Sequence, residues 1–105
     1  MFIRISFVLI AQLLFINSLI GQIPIAKTDF IKRKYLDLVY GSASSAEKLD
    51  IYLPDVGNGP FPVIVSIHGG AFMVGDKGDI QVMPMLSGLK RGYAVVSINY
   101  RMSGE

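Results

Sequence analysis

The stretch VIVSIHGGAF, Val63 to Phe72, decides the fold. Val63-Ile64-Val65-Ser66-Ile67 is almost wholly apolar and mostly β-branched, and a lone histidine and two glycines follow where that run stops. Ala94-Val95-Val96-Ser97-Ile98 has the same character. Continuous runs of this kind suit strands covered on both faces, as in a parallel sheet. Between the two runs, Val82, Met85, Leu86 and Leu89 fall at helical spacing. Lys90 and Arg91 complement the dipole at the end of that helix, and Gly92 is placed to cap it. The helix starts either at Asp79 as N-cap, which leaves Pro84 inside, or at Pro84 as its first residue. Strand, helix, strand in this order predicts a right-handed crossover between parallel strands.

Upstream the pattern differs. Lys34 to Tyr40 is β-prone with partial alternation. Lys48 to Leu53 alternates strictly, with Leu49, Ile51 and Leu53 on one side and Lys48, Asp50 and Tyr52 on the other. That is the period of a half-buried strand. The small residues Gly41 to Ser45 join the two runs as an antiparallel hairpin. Pro54 to Pro62 holds three prolines and two glycines and reads as a loop. Gln22 to Phe30 forms an N-terminal arm. Residues 1–21 read as an export signal: Arg4 gives the positive start, Ile5 to Ile20 the apolar stretch, and Gly21 a small residue at the cleavage point. The stretch is shorter than the roughly 18 residues of a spanning helix. An uncleaved membrane anchor is the other reading. The expected location is therefore secreted or periplasmic, with membrane association only if the signal stays on. The folded part is residues 22–105, with no internal repeat.

Composition narrows the function. A net charge of +2, with Lys and Arg scattered apart from Lys32-Arg33-Lys34, argues against a nucleic-acid partner. There is no cysteine and a single histidine, so disulfide frameworks and Cys- or His-rich metal sites are excluded. No cofactor is expected.

The glycines need a reason. Gly69 and Gly70 follow a strand at its carboxyl end, where open α/β sheets bind ligands. Glycine lets a ligand approach the backbone, and successive exposed N–H groups form an anion nest. A phosphate loop fails in detail: Gly70 and Gly75 have the right spacing, but Asp76 precedes Lys77, and Gly78 stands where Ser or Thr should hold magnesium. The dinucleotide pattern is absent too. The remaining candidate is the oxyanion of acyl transfer, whose donors lower the barrier by about 3–4 kcal/mol each.

At this point the chain resembles the α/β-hydrolase esterases and lipases with an HGGG-type oxyanion loop. The resemblance runs from about Leu49 to Glu105. It is carried by the order and spacing of LDIYLP, PVIVSIHGGAF, GDK, LKRGYAVVSINYR and MSGE. It implies an antiparallel hairpin followed by a parallel β-α-β unit, the N-terminal part of an α/β-hydrolase with an incomplete sheet. It sets His68, Gly69 and Gly70 on the family's HGG, with Ala71 at the third glycine and Phe72 at an aromatic position. The backbone N–H groups of Gly70 and Ala71, with that of Gly69, are then the oxyanion-hole donors. Ala71 keeps an N–H but must adopt a φ that alanine tolerates. His68 shapes the loop rather than acting as a base. Phe72 either lines an acyl pocket or is simply buried. Asn99-Tyr100-Arg101 matches the family's Asn-Tyr-Arg, and Gly104-Glu105 stands for its Pro-Glu. Arg101 reads as part of a structural network, Met83, Met85 and Met102 as packing residues, and Asp76 with Lys77 as a solvated turn.

A serine esterase also needs a nucleophile, an acid and a base. No serine here lies in a G-x-S-x-G frame, and there is no second histidine. The expectation is an N-terminal portion of a secreted serine carboxylic-ester hydrolase, acting on a small-molecule ester. This portion would provide the oxyanion loop and be inactive alone. The competing class is a small non-catalytic, secreted or membrane-anchored module that holds an anion in the same nest.

Overall fold

A computed structural model describes residues 23–105. The export signal expected over residues 1–21 lies outside the described residues.

Strands β1 (Lys34–Val39) and β2 (Lys48–Tyr52) pair antiparallel as the hairpin the alternation predicts. A bulge interrupts their register between Tyr35 and Leu38, and there Asp37 takes φ 58. Strand β3 (Val63–Ile67) pairs parallel with β4 (Ala94–Ile98), and β4 also pairs antiparallel with β2. The strand order β1-β2-β4-β3 gives one mixed, four-stranded sheet.

The crossover between β3 and β4 is not the single helix that the apolar spacing predicts. It is a 3-10 turn (Ile80–Val82), one short helix α1 (Met83–Leu86) and a second 3-10 turn (Ser87–Arg91). Both predicted starts are used. Asp79 caps the first turn by accepting from the N–H of Gln81, and Pro84 sits in the first turn of α1, where its missing donor costs nothing. Ser87 then bonds back to the Pro84 carbonyl at 2.7 Å, a competitor for the regular helical bond. Gly92 ends the crossover at φ 82, with Lys90 and Arg91 in the last turn.

The crossover and the N-terminal arm cover one face of the sheet. Ala26, Ile31, Tyr52, Val82, Leu86 and Val95 form the buried cluster, with Ile64, Met83 and Leu89 packed against it. The arm is pinned by Ala26 N–H to the Gly78 carbonyl at 2.9 Å and by Ile80 N–H to the Pro24 carbonyl at 2.8 Å. Burial in β2 runs against its apolar pattern. Asp50 and Tyr52 are buried, whereas Leu49 and Ile51 on the other face are half-buried. Strand β3 is likewise covered on one face only, and Val63, Val65 and Ile67 are exposed at the sheet edge.

Candidate functional site

The segment leaving β3 turns back on itself at once, and its carbonyls are tied down one after another. The His68 carbonyl accepts from the Tyr100 hydroxyl at 2.6 Å. The Gly69 carbonyl accepts from His68 Nδ1 and from Gln81 Nε2, each at 3.1 Å. The Gly70 carbonyl accepts from the N–H groups of Met73 and Val74 at 3.0 and 3.1 Å. The Phe72 carbonyl accepts from the N–H and the hydroxyl of Ser103.

This fixes the donors. A peptide unit is planar and trans, so its N–H points away from its own carbonyl. Tying back the Gly69 carbonyl therefore aims the Gly70 N–H outward, and tying back the Gly70 carbonyl does the same for Ala71. Neither N–H has an acceptor among the described residues, and Phe72 adds a third such N–H. Gly69 does not join them: its N–H donates to Gln81 Oε1 at 2.7 Å. Its hydrogen is already engaged, unlike those of Gly70 and Ala71.

Backbone conformation explains why these residue types stand here. Gly70 has φ 146, and a Cβ on it would lie 1.8 Å from the Val74 carbonyl oxygen. Gly75 lets the returning chain pass the histidine, since a Cβ there would meet His68 Nδ1 at 2.6 Å. Ala71 and Phe72 sit at φ 55 and 58, the left-handed region that costs a non-glycine residue roughly 1–2 kcal/mol. The departure from a third glycine is thus tolerated at a cost in strain.

His68 is buried, 4% exposed, and stacks on Tyr100 with ring centroids 4.6 Å apart. A carbonyl only accepts, so the bond to Gly69 puts a proton on Nδ1. Nε2 is buried without a hydrogen-bond partner among the described residues. Phe72 is exposed and meets Tyr100 edge-on at 6.3 Å, so simple burial does not account for it. With Ile67, Ile98 and Tyr100 it lines an open groove of 440 Å³, whose wall also includes Gly70 and Ala71.

The turn after the loop is the largest departure from the sequence reading. Lys77 is not solvated: it is buried, and its ammonium lies 2.7 Å from Asp37 and 3.0 Å from Asp50. The Asp37 N–H also donates to Asp50 at 2.8 Å, so the bulge of β1 closes this cluster. Burial works against the lysine's charge, but the hydrogen bonds to Asp37 and Asp50 outweigh it and raise its pKa. The hydrogen bond from Lys77, with its charge, holds the Asp37 carboxyl below its ordinary range. Asp76 lies below its range as well. Burial pushes it up, but the bonds from Asn99 and from the Gly78 N–H prevail. The turn is fastened to the end of β4, where Asn99 accepts from the Lys77 N–H and Ser97 donates to the Lys77 carbonyl, at 2.8 and 2.7 Å.

Residue reasoning missed Gln81, Asp50 and Asp37, each of which bonds a partner at least 12 residues away along the chain.

A family model described as BD-FAE matches residues 49–105. Among curated proteins, the chain is 29% identical over 75 residues to "Kynurenine formamidase" of Danio rerio, covering 70% of this chain and 24% of that protein. It is 41% identical over 70 residues to "Probable carboxylic ester hydrolase LipM" of Mycobacterium tuberculosis, covering 64% of this chain and 16% of that protein. A solved structure described as a truncated form of carbohydrate esterase from gut microbiota is similar at TM-score 0.59 and 30% identity, covering 75% of this chain and 28% of that one. The chain thus spans about a quarter or less of the length of the curated relatives it matches.

Proposed function

Since this chain belongs to the BD-FAE family of α/β-hydrolase esterases, we propose that it supplies the oxyanion-stabilising part of a carboxylic-ester hydrolase. Its mixed sheet with one short helix matches the N-terminal part of α/β-hydrolase esterases and is incomplete by comparison. The single observation that carries the reading is the pair of free N–H groups at Gly70 and Ala71, aimed by carbonyls that are each bonded twice.

In this mechanism the substrate ester lies in the groove beside Phe72, with its carbonyl oxygen at the two N–H groups. A serine elsewhere in the polypeptide attacks the carbonyl carbon, with a base and an acid also supplied from there. As the carbon becomes tetrahedral, the charge on oxygen is met by donors already in place. Such donors are worth more in the transition state than to the neutral ester. The aromatic and aliphatic lining suits an apolar acyl or aryl group. We also propose export, on the support of the charged start and apolar stretch before Gly21.

Nitrophenyl acetate tests the reading. The full-length enzyme is expected to hydrolyse it and to be silenced by a serine-directed phosphonate, while the 105-residue chain alone stays at the buffer rate. Inhibitor-sensitive turnover by the short chain would overturn the division of labour. A full-length protein that binds acetate at the loop without hydrolysing esters would favour an anion-binding module.

A further inference from the structure

We propose that Gln81 is a positioning residue for the oxyanion donors; the inference rests on the ester-hydrolase reading above. The peptide that carries the Gly70 N–H lies between two glycines, so no side chain resists its rotation. Flipping that one plane would swing the Gly70 N–H inward and put the Gly69 carbonyl oxygen where the developing anion should sit. Something outside the loop has to hold it.

Gln81 has the required form. Its carboxamide meets the backbone of Gly69 at two points, accepting from the N–H at 2.7 Å and donating to the carbonyl at 3.1 Å. Doing both takes a side chain with a donor and an acceptor on one planar group. The carboxamide is itself oriented. Asp79 accepts from the Gln81 N–H at 2.8 Å and from Nε2 at 3.1 Å. Asp79 is buried, 3% exposed, and also accepts from the Asp76 N–H at 2.9 Å. A line of oriented groups thus runs from the turn at Asp76 through Asp79 and Gln81 to the Gly69–Gly70 peptide. His68 Nδ1 bonds the same Gly69 carbonyl but leaves the Gly69 N–H alone, so it cannot replace the two-point grip. Gln81 touches no reacting atom and acts through the peptide it holds.

The test compares Gln81→Glu and Gln81→Leu with the wild type in the full-length enzyme, across pH, with nitrophenyl acetate. At neutral pH the carboxylate introduced by Gln81→Glu accepts but cannot donate, and it faces the Gly69 carbonyl and Asp79. The kcat of this variant is expected to fall at least tenfold with KM within about twofold. As pH drops and the new carboxyl takes up a proton, it donates again, and kcat relative to wild type rises. Gln81→Leu stays low at every pH. Wild-type kcat in both variants overturns the proposal. So does a Gln81→Glu deficit that stays constant with pH and matches the leucine variant, because that is the signature of a purely structural role. Amide exchange at Gly69 is read alongside and should quicken at least tenfold in Gln81→Leu. Unchanged exchange refutes the clamp while the wild-type enzyme stays active. A wild-type protein without ester hydrolysis refutes the underlying reading instead.

Discussion

Gly70→Ala lowers kcat of the full-length enzyme by about a hundred- to a thousandfold, the loss expected when an oxyanion donor is removed. The methyl group cannot be housed. It would sit 1.8 Å from the Val74 carbonyl oxygen, and φ 146 lies where L-residues are strained. The Val74 N–H is one of the two bonds holding the Gly70 carbonyl. Pushing Val74 away therefore releases the peptide that aims Ala71, and both donors move together. Substrate binding depends on the groove walls at Ile67, Phe72 and Ile98, which keep their side chains, so KM changes far less than kcat. The assay is steady-state kinetics with nitrophenyl acetate, beside a urea melt to show that the variant is folded. A folded Gly70→Ala enzyme within threefold of wild-type kcat contradicts the assignment of the loop.

The second large effect is on stability. Lys77→Met destabilises the fold by about 3–5 kcal/mol, because it leaves the Asp50 carboxylate buried without its counter-charge. Asp50 is 4% exposed in its side chain, against 68% for Asp37, so the penalty falls on Asp50 while Asp37 simply rehydrates. Against a typical total of about 5–15 kcal/mol, that is a large share. Urea unfolding of Lys77→Met and of Lys77→Met with Asp50→Asn checks it, the second substitution recovering part of the loss. A cost below about 1 kcal/mol for Lys77→Met alone, the worth of an exposed pair, would contradict a buried ion cluster.

The same cluster sets the pH limits of the wild type. Lys77 has its pKa raised, so its contribution is whole below the ordinary 10.5 and is lost as pH climbs through the raised value. Tyr52 is pushed up to about 12, chiefly by burial and then by the charge of Asp50. Its neutral form is the one the fold favours, so stability drains away from the ordinary 10.0 upward. Asp37 and Asp76 are held low, so their contribution is present above the ordinary 3.8 and is lost as pH falls through the lowered values. Urea midpoints should therefore fall above about pH 10 and again in acid below about pH 4.

Much of the fold was legible because it depends on local periodicity. The alternation from Lys48 to Leu53, the β-branched runs at Val63 and Ala94, and Gly92 after Arg91 each announce a strand or a cap through their neighbours. The crossover was legible in outline only. Apolar spacing at Val82, Leu86 and Leu89 fits a helix, but Pro84 and the Ser87 back-bond divide it into short pieces.

What stayed hidden has one physical cause: a charge buried with its partner looks, in sequence, like a charge in water. Asp50 marked the wrong face of β2 as solvent-facing, and Lys77 made its turn look exposed, because the partners lie far apart along the chain, 40 residues in the case of Lys77 and Asp37. That the glycines bend the chain at the carboxyl end of β3 was readable, and they are proposed as an anion cradle. Which of their N–H groups stay free was not readable, because that depends on Gln81, 12 residues beyond Gly69.

The central claim is that the Gly70 and Ala71 N–H groups receive the oxyanion while the Gly69 N–H does not. Amide NMR of the full-length enzyme before and after reaction with a serine-directed phosphonate tests it most directly. The account predicts large downfield shifts of the Gly70 and Ala71 amide protons, with Gly69 almost unmoved. A shift centred on Gly69, or none at Gly70 and Ala71 in a fully inhibited enzyme, contradicts it.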